Sequence, residues 1–256
     1  MRQYEGYVFD LDGTIYLGDR LIEGARETVA RLRERGASVV FLSNKPLEPG
    51  AVYARKLDFL GIPAGPRDVI NSTQALIAYL LEHHPASCLF VVGEDALRQE
   101  IDQAGFAQSD DVDDIDIVVA AFDRTLDYAK LNTAYQALKR GARFYATNAD
   151  KACPIEGGDI PDCAGVIAFL EATTDRQVEL IAGKPSRHIL DAAVSRLGVP
   201  AGDCLVVGDR LATDMTMGLQ AGIDTALVLT GVTARSDLLH SQIKPTFVLG
   251  SVADIR

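Results

Sequence analysis

Short apolar runs recur along the chain: Val39–Leu42, Leu89–Val92, Ile117–Ala121, Leu205–Val207, Ala226–Leu229 and Phe247–Leu249, with a further run ending at Phe9. Longer stretches between them carry apolar residues at helical spacing. Strands alternating with helices predict parallel βα units and an α/β fold. Two helices can be read directly. Residues 24–35 place Val29 and Leu32 on one side and stop at Gly36; residues 186–197 align Ile189, Leu190, Ala193 and Leu197, with Pro185 at the entrance and Gly198 at the exit. One local pattern occurs twice. Arg35-Gly36-Ala37 leads through a strand to Ser43-Asn44, and Arg140-Gly141-Ala142 leads through another to Thr147-Asn148. Each hydroxyl-amide pair would then stand at the carboxyl end of a strand, where open α/β sheets bind ligands, although the same residues also suit simple turns.

No long linker, low-complexity tract or fixed-period repeat divides the chain. The segment 80–181 is nevertheless too long for a loop and holds strands and helices of its own. It predicts an α/β domain inserted into a second domain made of residues 1–79 and 182–256.

Composition narrows the classes. With 256 residues and 48% hydrophobic content the chain can bury a large core. A net charge of −11 argues against nucleic acid as partner, and the acidic run Asp110, Asp111, Asp113, Asp114 and Asp116 reads as a solvated loop leading into a strand. No apolar run approaches the roughly 20 residues of a membrane span, and the first candidate acids lie too near Met1 for a cleaved signal peptide to precede them. A cytoplasmic protein with no membrane partner is expected. Cys88, Cys153, Cys163 and Cys204 show no C-x-x-C spacing, so neither a zinc site nor a disulfide framework is expected. His83 and His84 close a helix-like stretch, and His188 suits a helix surface.

The chemistry concentrates at strand ends. Tyr7-Val8-Phe9-Asp10-Leu11-Asp12-Gly13-Thr14 ends an apolar run in two carboxylates two residues apart, which the strand period places on one face. Ser43-Asn44 supplies a hydroxyl and an amide that can bind anionic oxygens without adding charge. Lys184, after the run Val178–Ala182 and before a helix, offers an ammonium suited to phosphate beside a helix N-terminus that also favours anions. Leu205-Val206-Val207-Gly208-Asp209 and Asp214 end another strand in two more acids, hard oxygen ligands of the kind magnesium takes.

This set of segments, in this order, resembles the haloacid dehalogenase (HAD) superfamily of phosphotransferases, and most of all its 4-nitrophenylphosphatase/NagD-like branch. The resemblance runs through nearly the whole chain and implies a Rossmann-like parallel-sheet core with an inserted α/β cap. It implies Asp10 as nucleophile and Asp12 as acid/base, with the Asp12 backbone carbonyl facing the metal. Thr14, Ser43 and Asn44 fall where the family orders the loop and binds phosphate, Lys184 where it screens nucleophile and phosphate, and Asp209 and Asp214 where it holds Mg2+ together with Asp10. Two positions depart from the family pattern. Lys45 stands where relatives often carry Asn or an aromatic residue, and Ala149 replaces the Pro of Thr-Asn-Pro-Asp in Thr147-Asn148-Ala149-Asp150.

The expected activity is magnesium-dependent hydrolysis of a small phosphorylated metabolite, a sugar, polyol or nucleotide phosphate, through an aspartyl-phosphate. Thr147, Asn148 and Asp150 are the candidate substrate contacts from the cap, and Lys45 is grouped with the phosphate binders. Two rivals share the core features: a phosphotransferase or mutase that passes the phosphoryl group to a sugar hydroxyl, and a non-catalytic phospho-ligand-binding module. The second needs neither Asp12 nor a cap. Cap-mediated dimers occur among relatives, so a homodimer is compatible with the resemblance.

Overall fold

The structure is a computed structural model that describes residues 2–155 and 157–256. The chain forms two compact units. One comprises residues 1–43, 50–70 and 184–256, the other residues 44–49 and 71–183. The boundary expected at residue 80 falls inside the helix Ser72–His83, which the second unit takes up from its first turn. Asn71 caps this helix by accepting a hydrogen bond from the Gln74 N–H at 2.9 Å.

The first unit is built on a six-stranded sheet in the order Phe247–Leu249, Asp224–Val228, Cys204–Gly208, Gly6–Asp10, Ser38–Ser43, Val69–Asn71. The first five strands in this order pair in parallel. Every residue of Gly6–Asp10 and Cys204–Gly208 is buried, as expected of central strands covered on both faces. On one face Tyr7, Phe9, Phe41, Leu205, Val207 and Ala226 form a core with Val29 and Leu32 of the helix Ala25–Glu34 and with Leu57 of the helix Gly50–Phe59. The helix Arg187–Leu197 buries Ile189, Leu190, Ala193 and Leu197, the four positions expected from spacing, and stops at Gly198, whose φ of 69° only glycine adopts freely.

Topology then places the site. From Gly6–Asp10 the chain moves outward to Ser38–Ser43 and Val69–Asn71; on returning it starts again beside the first strand at Cys204–Gly208 and moves outward the other way. The reversal lies between Gly6–Asp10 and Cys204–Gly208, the crevice where open parallel sheets bind ligands. Phe9 pairs with Val207, so Asp10 and the Gly208-Asp209 step leave the sheet side by side.

The second unit has a four-stranded parallel sheet in the order Leu180–Ile181, Arg143–Ala146, Ile117–Ala120, Leu89–Val92. Phe90, Val92, Val118, Phe144 and Ala146 pack with Ala134 and Leu138 of the helix Tyr128–Lys139 and with Val166 and Leu170 of the helix Cys163–Thr174. The run expected over Val178–Ala182 is a strand only at Leu180–Ile181, though the Glu179 and Ala182 N–H groups still bond to Phe144 and Ala146. Both copies of the repeated helix-glycine-strand pattern are αβ units, Ala25–Glu34 into Ser38–Ser43 and Tyr128–Lys139 into Arg143–Ala146. Among the described residues no helix is long and apolar enough to cross a membrane.

Candidate active site

Asp10 ends its strand buried, and Lys184 reaches it across 174 positions of sequence. The Lys184 Nζ donates to Asp10 Oδ1 and, at 2.7 Å, to Asp214 Oδ1. Lys184 and Asp214 are 4% and 1% exposed, so the ammonium is locked between two carboxylates out of reach of bulk water. Asp209, also 1% exposed, completes the group: ligand oxygens of Asp10, Asp209 and Asp214 all lie within 4.8 Å of one another. The wide turn Leu211–Met215 brings Asp214 back against the strand end. Gly208 permits this, because a Cβ there would stand 2.3 Å from the Cβ of Asp214.

Electrostatics follow from burial. Three carboxylates and one ammonium leave excess negative charge in a place of low polarity. Burial, with repulsion from Asp214 and Asp209, raises the Asp10 carboxyl well above the ordinary range despite the attraction of Lys184. Burial and Asp214 push Asp209 up to about 6. Burial opposes the charge of Lys184, but Asp10 and Asp214 outweigh it and raise its pKa further, so it remains an ammonium. A divalent cation would reverse the rise at the acids. The donor set suits one: hard carboxylate oxygens converge, and Asp209 Oδ1 is buried with no hydrogen-bond partner.

The loop after Asp10 turns tightly. Leu11 O accepts from the N–H groups of Thr14, Ile15 and Tyr16, and the Gly13 N–H donates to Tyr16 O at 2.7 Å. Gly13 has a φ of 87°, a conformation that disfavours any side chain. Asp12 is half-buried and lies outside the buried acid cluster. Thr14 is fully buried with an unpartnered hydroxyl oxygen, and Ser43 is buried at the end of the strand beside Asp10.

The remaining expected site residues belong to the second unit. There the Asn44 side-chain amide donates to Asp150 Oδ2 at 3.0 Å. Asn148 donates to Asp150 Oδ2 at 3.3 Å and to Asp162 Oδ1 at 3.0 Å, and accepts from the Thr147 hydroxyl at 2.9 Å. Asp162 also receives the Cys163 N–H at 2.6 Å and so caps the following helix. Thr147, Asn148, Asp150 and Asn44 therefore form one polar network, while Lys45 is half-buried next to it in sequence. Gly183 meets the same network: a Cβ would lie 2.6 Å from both Asn44 Oδ1 and Thr147 O.

Two groups of residues escaped sequence reasoning. Asp162 is one. The other is Thr230-Gly231-Val232-Thr233, whose backbone reaches Asp209: the Val232 N–H donates to Asp209 Oδ2 at 2.6 Å and the Thr233 N–H to Asp209 O at 3.2 Å. The available signal was a cluster of small residues immediately after a strand, at the edge where Asp10 and Asp209 emerge.

A buried acid cluster with a captive ammonium, at the switch point of a parallel α/β sheet, marks the class of α/β enzymes whose crevice suits an anionic substrate. Comparison with known proteins makes this specific. Residues 7–107 match the family model of haloacid dehalogenase-like hydrolases, and residues 181–255 match a HAD-hydrolase-like model. The chain is 37% identical to the sugar-phosphatase AraL of Bacillus subtilis over 98% of its own length and 91% of that protein, and 35% identical to the 5'-nucleotidase YutF of the same organism over 99% and 98%. Among solved structures, the 4-nitrophenylphosphatase of Thermotoga maritima superposes with a TM-score of 0.93 at 34% identity, covering 98% of this chain and 96% of that one. NagD from E. coli K-12 superposes with a TM-score of 0.90 at 29% identity, covering 100% and 99%. The chain belongs to the haloacid dehalogenase-like hydrolases, in their NagD-like branch, and is a phosphatase of that family.

Proposed function

We propose that this enzyme hydrolyses small phosphate monoesters, sugar, polyol or nucleotide phosphates among them, in a magnesium-dependent reaction with an aspartyl-phosphate on Asp10. The observation that carries the reading is the bridge from Lys184 to both Asp10 and Asp214, with Asp209 within 4.8 Å. It supports a carboxylate nucleophile whose approach to an anion is made tolerable by fixed positive charge.

In the first half-reaction an Asp10 carboxylate oxygen attacks phosphorus in line, the bond from phosphorus to the ester oxygen breaks, and Asp12 gives its proton to the departing alkoxide. In the second, Asp12 takes a proton from the water that attacks the acyl phosphate; the bond from phosphorus to the Asp10 oxygen breaks, and phosphate leaves. Asp12 suits proton exchange because it is less buried than Asp10 and lies two residues beyond it. Lys184 holds Asp10 in line and offsets the charge of the phosphoryl oxygens. Asp10, Asp209 and Asp214 would hold Mg2+, which supplies the remaining charge neutralisation. The names of the relatives, a sugar-phosphatase, a 5'-nucleotidase and a 4-nitrophenylphosphatase, support small phosphorylated substrates.

The test is release of 4-nitrophenolate from 4-nitrophenyl phosphate with Mg2+, followed by a panel of phosphorylated metabolites. Asp10→Asn should lose about 10⁴-fold or more in turnover, as loss of a nucleophile does elsewhere. Turnover that survives in Asp10→Asn, or that is indifferent to EDTA, overturns the mechanism.

A further inference from the structure

The magnesium reading above assigns ligands but leaves open what aims Asp209. We infer that Thr230-Gly231-Val232-Thr233 is a positioning clasp that sets the Asp209 carboxylate for the cation. The inference rests on that reading of the metal centre and concerns residues argued to act through Asp209.

The clasp closes on Asp209 from its backbone and from its side chain. Val232 N–H occupies Asp209 Oδ2 at 2.6 Å, and Thr233 N–H holds the Asp209 carbonyl at 3.2 Å. With Oδ2 taken, Oδ1 is left buried and unpartnered, the oxygen that a cation would use. Thr233 Oγ1 in turn accepts the Leu211 N–H at 3.3 Å, which fixes the start of the turn carrying Asp214. Thr230 Oγ1 donates to Gly13 O at 2.6 Å, tying the clasp to the loop that follows Asp10. All three acid-bearing segments therefore touch four consecutive residues.

Gly231 makes the fit possible. A Cβ on Gly231 would stand 2.0 Å from Asp209 Oδ2 and 2.5 Å from its Cγ, and a Cβ on Gly13 would stand 2.6 Å from the same oxygen and 2.9 Å from the Gly231 Cα. Gly13 is required on two grounds, space and its positive φ. Gly231 has no positive φ, so the obstacle to alanine there is space: the Cβ would also stand 2.7 Å from the Asp209 Cβ, against the whole Asp209 side chain. Alanine at 231 must displace that carboxylate, and partners that orient a ligand are commonly worth about 10- to 100-fold in metal affinity.

Calorimetric titration of the substrate-free enzyme with Mg2+ tests this, with Asp209→Asn as the reference for a lost ligand. Gly231→Ala should bind Mg2+ about 10- to 100-fold more weakly and need correspondingly more Mg2+ for half-maximal turnover, with kcat at saturating Mg2+ less affected than the Mg2+ requirement. Thr230→Val, which removes one hydroxyl and keeps the side-chain volume, should weaken binding by about 3- to 10-fold, the value of one hydrogen bond, and it carries the test if the alanine variant does not fold. A clasp that merely stabilises the fold would lower the melting temperature and leave Mg2+ affinity unchanged; that result overturns the inference. A wild-type enzyme that binds no Mg2+ overturns the metal centre itself, whereas wild-type binding matched by both variants overturns only the clasp.

Discussion

Lys184 illustrates how a single side chain can be required for opposite reasons in two states of a protein. Its ammonium is buried between Asp10 and Asp214, and removing one member of a buried ion set strands the others. Lys184→Met keeps the length and removes the charge. In EDTA it should destabilise the fold by about 3–5 kcal/mol, the usual consequence of leaving buried charge unpaired. In saturating Mg2+ the loss should shrink, because the cation replaces part of the missing charge, while turnover stays low for want of the fixed ammonium. Urea unfolding in the two buffers measures the difference; an equal loss in both would place Lys184 outside the cation's influence. At this scale Asp10, Lys184 and Asp209 were legible in the sequence because each follows closely on an apolar run and has no apolar purpose there, while Asp214 stands five residues beyond Asp209. Their partners were not. Asn44 reads as a phosphate ligand by position, and its side-chain amide also donates to Asp150, a pairing set by two distant segments folding together.

Elements were legible in proportion to how local their causes are. Leu89–Val92 and Phe247–Leu249 lie where the apolar runs place them, and the Arg187–Leu197 helix starts and stops at its Ser186 cap and Gly198. The helix-like stretch closed by His83 and His84 is the Ser72–His83 helix, with Leu76 and Leu80 on its buried side and Asn71 capping its start, and the domain boundary expected at residue 80 falls within it. The Cys163–Thr174 helix depends on Asp162 in a way no pattern announces, because the same oxygen caps the helix and accepts from Asn148. Asp162→Ala should therefore lose more than a cap. The cap alone is worth about 1 kcal/mol, and the hydrogen bond from the Asn148 amide, which is then left with Asp150 alone, adds about 0.5–1.5 kcal/mol. Asp162→Asn, which retains an acceptor for both the cap and Asn148, should lose less; equal losses in thermal unfolding would mean that neither of these hydrogen bonds contributes.

Across the whole molecule, the sheet order brings residue 10 and residues 209–214 to one crevice although an entire α/β unit intervenes in sequence. Alternating strands and helices were enough to predict the parallel sheet, but the reversal of strand order that creates the crevice is a property of topology and left no local trace. The consequence is that folding itself assembles excess negative charge, and a cation should be coupled to stability. Asp209 has a pKa of about 6 against an ordinary 3.8, raised by burial and by Asp214. A raised carboxyl favours the folded state fully below the ordinary value, and that contribution is lost as pH climbs through about 6. Without metal, then, Asp209 lowers stability between about pH 4 and 6, by an amount on the order of 2–3 kcal/mol. Mg2+ binds the ionised form and acts in the opposite sense, so its stabilisation should be small at pH 5 and grow through pH 7; at a hundredfold excess over its dissociation constant a ligand adds about 2.7 kcal/mol. Melting curves of wild type and Asp209→Asn, with Mg2+ and with EDTA across that range, separate the terms: the wild-type increment should rise with pH and the variant's should stay flat. An increment independent of pH, or one that Asp209→Asn retains, would remove Asp209 from the cation site and with it the link between the crevice and the stability of the fold.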